Sequence, residues 1–159
     1  MGKAKSKFSL LDYKQRFSGL AAETDQQTLA IWALECTERV LPFYEDCYPN
    51  DGRPRKALDT LRDWLRTGQF SMKVIRAASL GSHAAAREVG ADNPARSAAR
   101  AAGQTAGTAH VKDHAMGGAM YALQAIHRAS TLDDAEAAVA AEFEWQYQRL
   151  EALRNGADQ

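Results

Sequence analysis

About a third of residues 84–141 are alanine, and that bias constrains the fold more than any other feature of the chain. Alanine is the strongest helix former, and its small side chain lets helix axes approach closely. Strand signals are correspondingly scarce: no stretch alternates β-branched and polar residues between turn pairs. The leucines and aromatics gather in the first half and in the last helical stretch. The expected fold is all-α, a single-domain helical bundle of about six helices wrapped around a central Ala/Gly-rich segment at 94–128. A chain of 159 residues suits one domain and has room for a real core.

Local signals divide the chain. Residues 1–8 read as a flexible basic tail, 9–155 as the helical domain and 156–159 as a C-terminal tail. A short helix over 9–18 is expected to stop at Gly19. Thr24 with Gln27 forms a capping-box pattern, after which Leu29, Trp32, Ala33, Cys36, Val40 and Phe43 recur at helical spacing. Pro42 should kink or end that helix, and Pro49-Asn50-Asp51-Gly52 reads as a turn. Pro54 suits the first turn of a helix carrying Leu58, Leu61 and Leu65, with Gly68 as its C-cap. Ser71 starts another helix running towards Gly90, and Asn93-Pro94 starts the next. The segment to Arg128 is long for one helix, and Gly103 and Gly107 weaken it. A break is expected near Val111–Asp113, with Asp113 capping the second half. Thr131 with Asp134 marks the last helix, which carries Val139, Phe143, Tyr147 and Leu150.

Twenty basic residues balance twenty acidic ones. That neutrality argues against a dedicated nucleic-acid binder. The charge is uneven, however: 1–16 and 53–67 are basic and the last stretch is acidic, a polarity that solvated helix faces explain and that can also steer a charged partner. No apolar run approaches the about 18 residues of a membrane span, and the N-terminal lysines are followed by no apolar signal segment. Cys36 and Cys47 lie roughly 16 Å apart along a straight helix, too far for a disulfide. Reduced, buried thiols are expected, which fits a cytoplasmic protein.

The chemistry-bearing residues concentrate between Arg96 and Tyr121. On a continuous helical wheel Arg96, Arg100, Gly103, Gly107, His110, His114, Gly118 and Tyr121 fall on one side. Ala98, Ala102, Ala109, Met116, Met120 and Leu123 fall on the other, which reads as core. Three readings of the polar face stand open. It is structural, with glycines admitting a neighbouring helix and Arg and His satisfying buried groups. Or it is a pocket facing a ligand or partner, an anion given Arg96, Arg100 and the imidazoles. Or His110 and His114, at i and i+4, hold a metal with His83, Asp113 or a distant carboxylate as third ligand. The metal reading lacks the Glu beside the first His of a zinc protease. His83 and Arg87 form a second i, i+4 polar pair that helix packing explains. Cys36 reads as core before nucleophile. Trp64, between Arg62 and Arg66, reads as a core anchor or as an interface anchor. No phosphate loop, nucleophile elbow or CxxC pair is present, so no motif calls for a catalytic residue or a cofactor.

Several pieces, taken in order, resemble a known family. They are Trp32 to Pro42, Arg53-Pro54-Arg55-Lys56-Ala57, Ser82 to Arg87, Ala98 to Gln104, and Thr108-Ala109-His110-Val111 with His114-Ala115-Met116-Gly117. This series, over about residues 28–125, is similar to the bacterial "putative immunity protein" family. The resemblance implies an all-helical cytoplasmic antidote of a polymorphic toxin system, with a cognate protein toxin as partner. Its motif residues correspond here to Arg53, Arg55, His83, Arg87, Arg100, His110 and His114, alongside Arg96, Gln104 and Tyr121 from the wheel. The other readings are a small-ligand or metal-binding domain, or an enzyme, using the same face, and a homo-oligomer joined through its small residues. No membrane and no specific nucleic acid is expected as partner.

Overall fold

Proline, glycine and short polar caps divide the chain into helices much as their chemistry dictates. The computed structural model describes residues 9–156, so the expected tail at 1–8 and residues 157–159 of the expected tail at 156–159 lie outside the described residues. Among the described residues there are eight α-helices and no strand: α1 Leu10–Ala22, α2 Gln26–Glu38, α3 Pro42–Glu45, α4 Arg53–Thr67, α5 Met72–Glu88, α6 Pro94–Ala106, α7 His114–Ala129 and α8 Ala135–Arg154. A single 3₁₀ turn, Gly107–Ala109, follows α6. The extra helices over the expected set come from the short α3 beyond Pro42 and from the complete separation of α6 and α7.

Several caps match their sequence signals. The Ser71 side chain accepts from the Val74 amide, and that of Asn93 from the Arg96 amide, with Pro94 in the first turn of α6. Gly68 ends α4 at φ 69°, the left-handed geometry that glycine adopts without strain. Others correct the expectation. The N-cap of α2 is Asp25, whose carboxylate accepts from the Thr28 amide, in place of Thr24, which is buried and donates to the Leu20 carbonyl instead. A carboxylate accepts more strongly than a hydroxyl, and Thr24 is already committed. Asp113 occupies the position before α7 but its backbone is helical and its side chain caps nothing. The central break starts earlier than Val111: α6 ends at Ala106, and His110 and Val111 bond back to the Gly107 carbonyl. Thr131 donates to the Asp134 carboxylate, and Asp134 takes the position before α8.

The alanine-rich helices are central. α6 packs most extensively on α5 and α7 and also meets α2, α3 and α4, while α7 carries α1, α2 and α8 on its other sides. α6 separates two hydrophobic clusters. Ala95, Ala98 and Ala99 face Phe17, Trp32, Tyr44, Met120, Leu123 and Phe143. Ala102 and Ala106 face Leu41, Leu58, Leu61 and Ile75. A helix buried against neighbours on nearly every side must present small residues, and nine of its residues are buried. The two-sided wheel is thus corrected: α6 has no broad polar face, only the half-buried row Arg96, Arg100 and Gln104 at i, i+4 and i+8.

Buried polar groups tie these layers. Thr37 and Thr105 share a hydroxyl bond at 2.8 Å, the Trp32 indole donates to the Gln146 carbonyl at 2.8 Å, and Gln146 donates to the Ala119 carbonyl at 3.1 Å. Arg39 reaches Glu142 through both Nε and Nη2 and stacks on Trp145. Both cysteines are free thiols, but only Cys36 is buried. Cys47 is exposed because α2 has already ended and the chain has turned outward past α3.

Close α6–α7 approach has a measurable consequence. A methyl at Gly118 would run into Thr105 Oγ1, the partner of Thr37. Gly118→Ala should lower unfolding free energy in urea by about 1–3 kcal/mol, as overpacked cores do. Gly19→Ala, in open space on α1, should raise it by about 0.5–1 kcal/mol.

Candidate functional site

The polar residues meet where α5 crosses α6 and where the chain enters α7. Two α5 hydroxyls draw these helices together: Ser79 Oγ donates to the Gly103 carbonyl at 2.8 Å and Ser82 Oγ to the Ala99 carbonyl at 2.7 Å. His83, one position on, then lies directly over Gly103. A methyl there would stand 2.7 Å from His83 Nε2. Arg100 Nη1 donates to His83 Nδ1 at 3.2 Å, so the ring is neutral with its proton on Nε2. Burial first, then the Arg100 and Arg87 charges and His114, lowers the His83 pKa from 6.5 to about 4.

A second imidazole is seated the same way. His114 opens α7 and its ring rests on Gly107, where a methyl would lie 3.0 Å from Cγ and Cδ2. Its Nδ1 donates to Gln104 Oε1 at 2.9 Å, and Gln104 in turn fills the space above Gly117. Burial, reinforced by His110, lowers its pKa as well. His83 and His114 are therefore neutral hydrogen-bonding groups at pH 7, each held over a glycine. His110 is exposed, with its ring stacked on Phe70 at 6.4 Å. With His114 it lines an open groove of about 260 Å³ bounded also by Met72, Ile75, Arg76, Ser79, Leu80 and Gly107.

The other expected residues separate from this cluster. Arg53 forks onto Asp51 and reaches Glu88, tying the start of α4 to the end of α5. The Arg53 guanidinium and the Tyr44 hydroxyl hold the Asp51 carboxyl far below the usual carboxylate range. Arg55 bridges Glu38 at 2.5 Å and Glu45 at 2.6 Å, joining α4 to α2 and α3. Arg96 donates to the Ala86 carbonyl and pairs with Asp92. Tyr121 is half-buried on α7 and forms no hydrogen bond among the described residues. Arg53, Arg55 and Arg96 thus act on the frame, while His83, Arg100, Gln104, His110 and His114 come together and Arg87 lies near His83.

Sequence reasoning missed Arg76, Ser79 and Leu80. Arg76 stands seven positions before His83, and Ser79 four, so a helical wheel of α5 places them on the same side. His83 is the one histidine of α5, so residue type alone does not single out that side of the helix.

No carboxylate hydrogen-bonds to His83, His110 or His114 among the described residues, so none of these rings has the orienting acid of a general base. No group of three or more His, Cys, Asp or Glu comes close enough to hold a metal ion among them either. Burial, with Glu142 and Glu35 nearby, pushes the Cys36 thiol well above its ordinary pKa, which removes it as a nucleophile. The arrangement can receive anionic or polar groups at an open surface. The chain belongs to the family described as Imm-5 like putative immunity protein, whose sequence profile matches residues 19–153. No curated protein and no solved structure matches it. No helix among the described residues is long and apolar enough to cross a membrane.

The glycine seat under His83 is open to test. Gly103→Ala should displace the ring, break its bond to Arg100 and raise the His83 pKa from about 4 towards 6.5 in an NMR titration. Between those pH values the unfolded ring takes up a proton that the folded ring refuses, so stability falls as pH drops through the window. His83→Gln should lose less stability than the wild type between pH 7 and pH 4.5, measured by urea unfolding.

Proposed function

We propose that this chain is an immunity protein that binds a cognate bacterial toxin in the cytoplasm and blocks it without chemistry of its own. Family membership supplies the reading. The observation that carries it is the form of the polar face: the His110–His114 groove is open, and the neutral imidazoles beside it are fixed by Arg100 and Gln104 rather than by a reacting acid. Neutralisation requires only a complementary surface, with affinity concentrated in a few anchors. The small-ligand alternative has the same groove in its favour and nothing further.

The test is co-expression with the toxin encoded by the adjoining gene. Cells carrying both should survive, and purified protein should form a stable complex with an inactivated form of that toxin. Cell death despite abundant folded protein would end the reading for that toxin.

A further inference from the structure

Most arginines of this protein are paired. Arg39, Arg53, Arg55, Arg62, Arg66, Arg96, Arg128, Arg149 and Arg154 all face carboxylates. Four do not: Arg16 on α1 lies over the Phe143 ring, Arg76 and Arg87 form no hydrogen bond or ion pair among the described residues, and Arg100 bonds only to neutral His83. The last three belong to α5 or to the edge of α6 beside it. Exposed Lys73 adds to them, and the one acid of α5, Glu88, is taken by Arg53.

Exposed apolar side chains concentrate in the same place. Phe70, Met72, Val74 and Leu80 are 49%, 40%, 55% and 53% exposed, whereas no comparable residue is exposed on the acidic α8. The surface around them is corrugated. Val74 lines a groove of about 270 Å³ towards Lys56 and Gly81 and another of about 430 Å³ beside Trp64 and Phe70. Ile75 lines the second of these and the groove of about 260 Å³ at His110 and His114. Ridge and grooves therefore run continuously around α5. Clustered apolar exposure with a polar rim marks an interaction surface, and the unpaired guanidinium groups set the sign of what covers it.

We propose that the outer face of α5, from Phe70 to Arg87, is where the toxin docks, and that the occupant is an acidic protein surface carrying apolar knobs. This rests on the reading of the chain as an immunity protein. Partner carboxylates pair with Arg76 and Arg87 at the rim, and apolar side chains enter the grooves beside Val74 and Leu80. The basic stretch at 53–67 is a weaker alternative because Arg53, Arg55, Arg62 and Arg66 are already neutralised internally.

The experiment measures affinity for the inactivated toxin domain from the adjoining gene, with hydrogen-exchange mapping of the complex. Arg76 and Leu80 are exposed and bear no structural bond, so Arg76→Glu with Leu80→Asp should fold normally, as a thermal melt checks. That double variant should bind about 100-fold more weakly or worse, and Glu144→Lys on α8 should change affinity by less than about threefold. Protection should appear over residues 70–87, and association should slow with added salt. Unchanged binding by the α5 variant, or protection confined to α8, overturns the proposal while leaving the immunity reading intact. If the wild-type protein binds no toxin, that reading falls, and an amphipathic helical peptide with Leu at i, i+3, i+4 and i+7 and Glu at the flanking positions judges the surface separately. Its binding should shift Trp64 fluorescence and be lost in Arg76→Glu; no binding by this probe as well overturns the surface assignment.

Discussion

Four glycines on and between α6 and α7 lack the methyl that would otherwise stand where a neighbouring side chain lies. His83 occupies the space over Gly103, His114 that over Gly107, Gln104 that over Gly117 and Thr105 that over Gly118. Each glycine in a helix costs about 0.5–1 kcal/mol relative to alanine through backbone entropy. Here that cost is offset by contact: α5 and α6 come close enough for Ser79 and Ser82 to reach α6 carbonyls, and Thr105, packed over Gly118 of α7, bonds to Thr37 on α2. The same vacancies hold two imidazoles and an amide in fixed positions. Core packing and site geometry are in this way one arrangement rather than two.

Electrostatics divides the molecule along a related line. Bidentate arginine pairs hold the frame: Arg149 on Glu35 joins α8 to α2, Arg39 on Glu142 joins the end of α2 to α8, and Arg55 joins α4 to α2 and α3. Around α5 the pairing stops, although carboxylates are abundant elsewhere on the chain. Unsatisfied cations there are exposed or half-buried, so water solvates them at little cost. A neutral total of charges therefore conceals one locally cationic, apolar surface.

Much of the helical punctuation was legible in the sequence because it depends on neighbours along the chain. Ser71, Asn93-Pro94 and Gly68 act on backbone groups within a turn of themselves, so their roles need no tertiary knowledge. Thr24 and Asp113 misled for a tertiary reason and a local one respectively. Thr24 is drawn into the buried interior, and Asp113 has helical backbone angles in place of the extended ones of an N-cap, with no bond from its side chain to the α7 amides. Arg53 and Arg55 read as site residues from the resemblance and Arg96 from the wheel, yet each finds a carboxylate or carbonyl supplied by a turn or by another helix.

Composition and local spacing determined that this chain is all-α, that its alanine-rich middle is central, and that Arg100, Gln104, His110 and His114 are polar residues within that middle. Alanine propensity, capping and the helical repeat act over a few residues, so they are written along the chain. Which arginines keep a free charge, which imidazoles are neutral, and that α5 rather than α6 turns an apolar face outward were decided only by tertiary structure. Those properties depend on what lies across each interface, and residues far apart in sequence supply it.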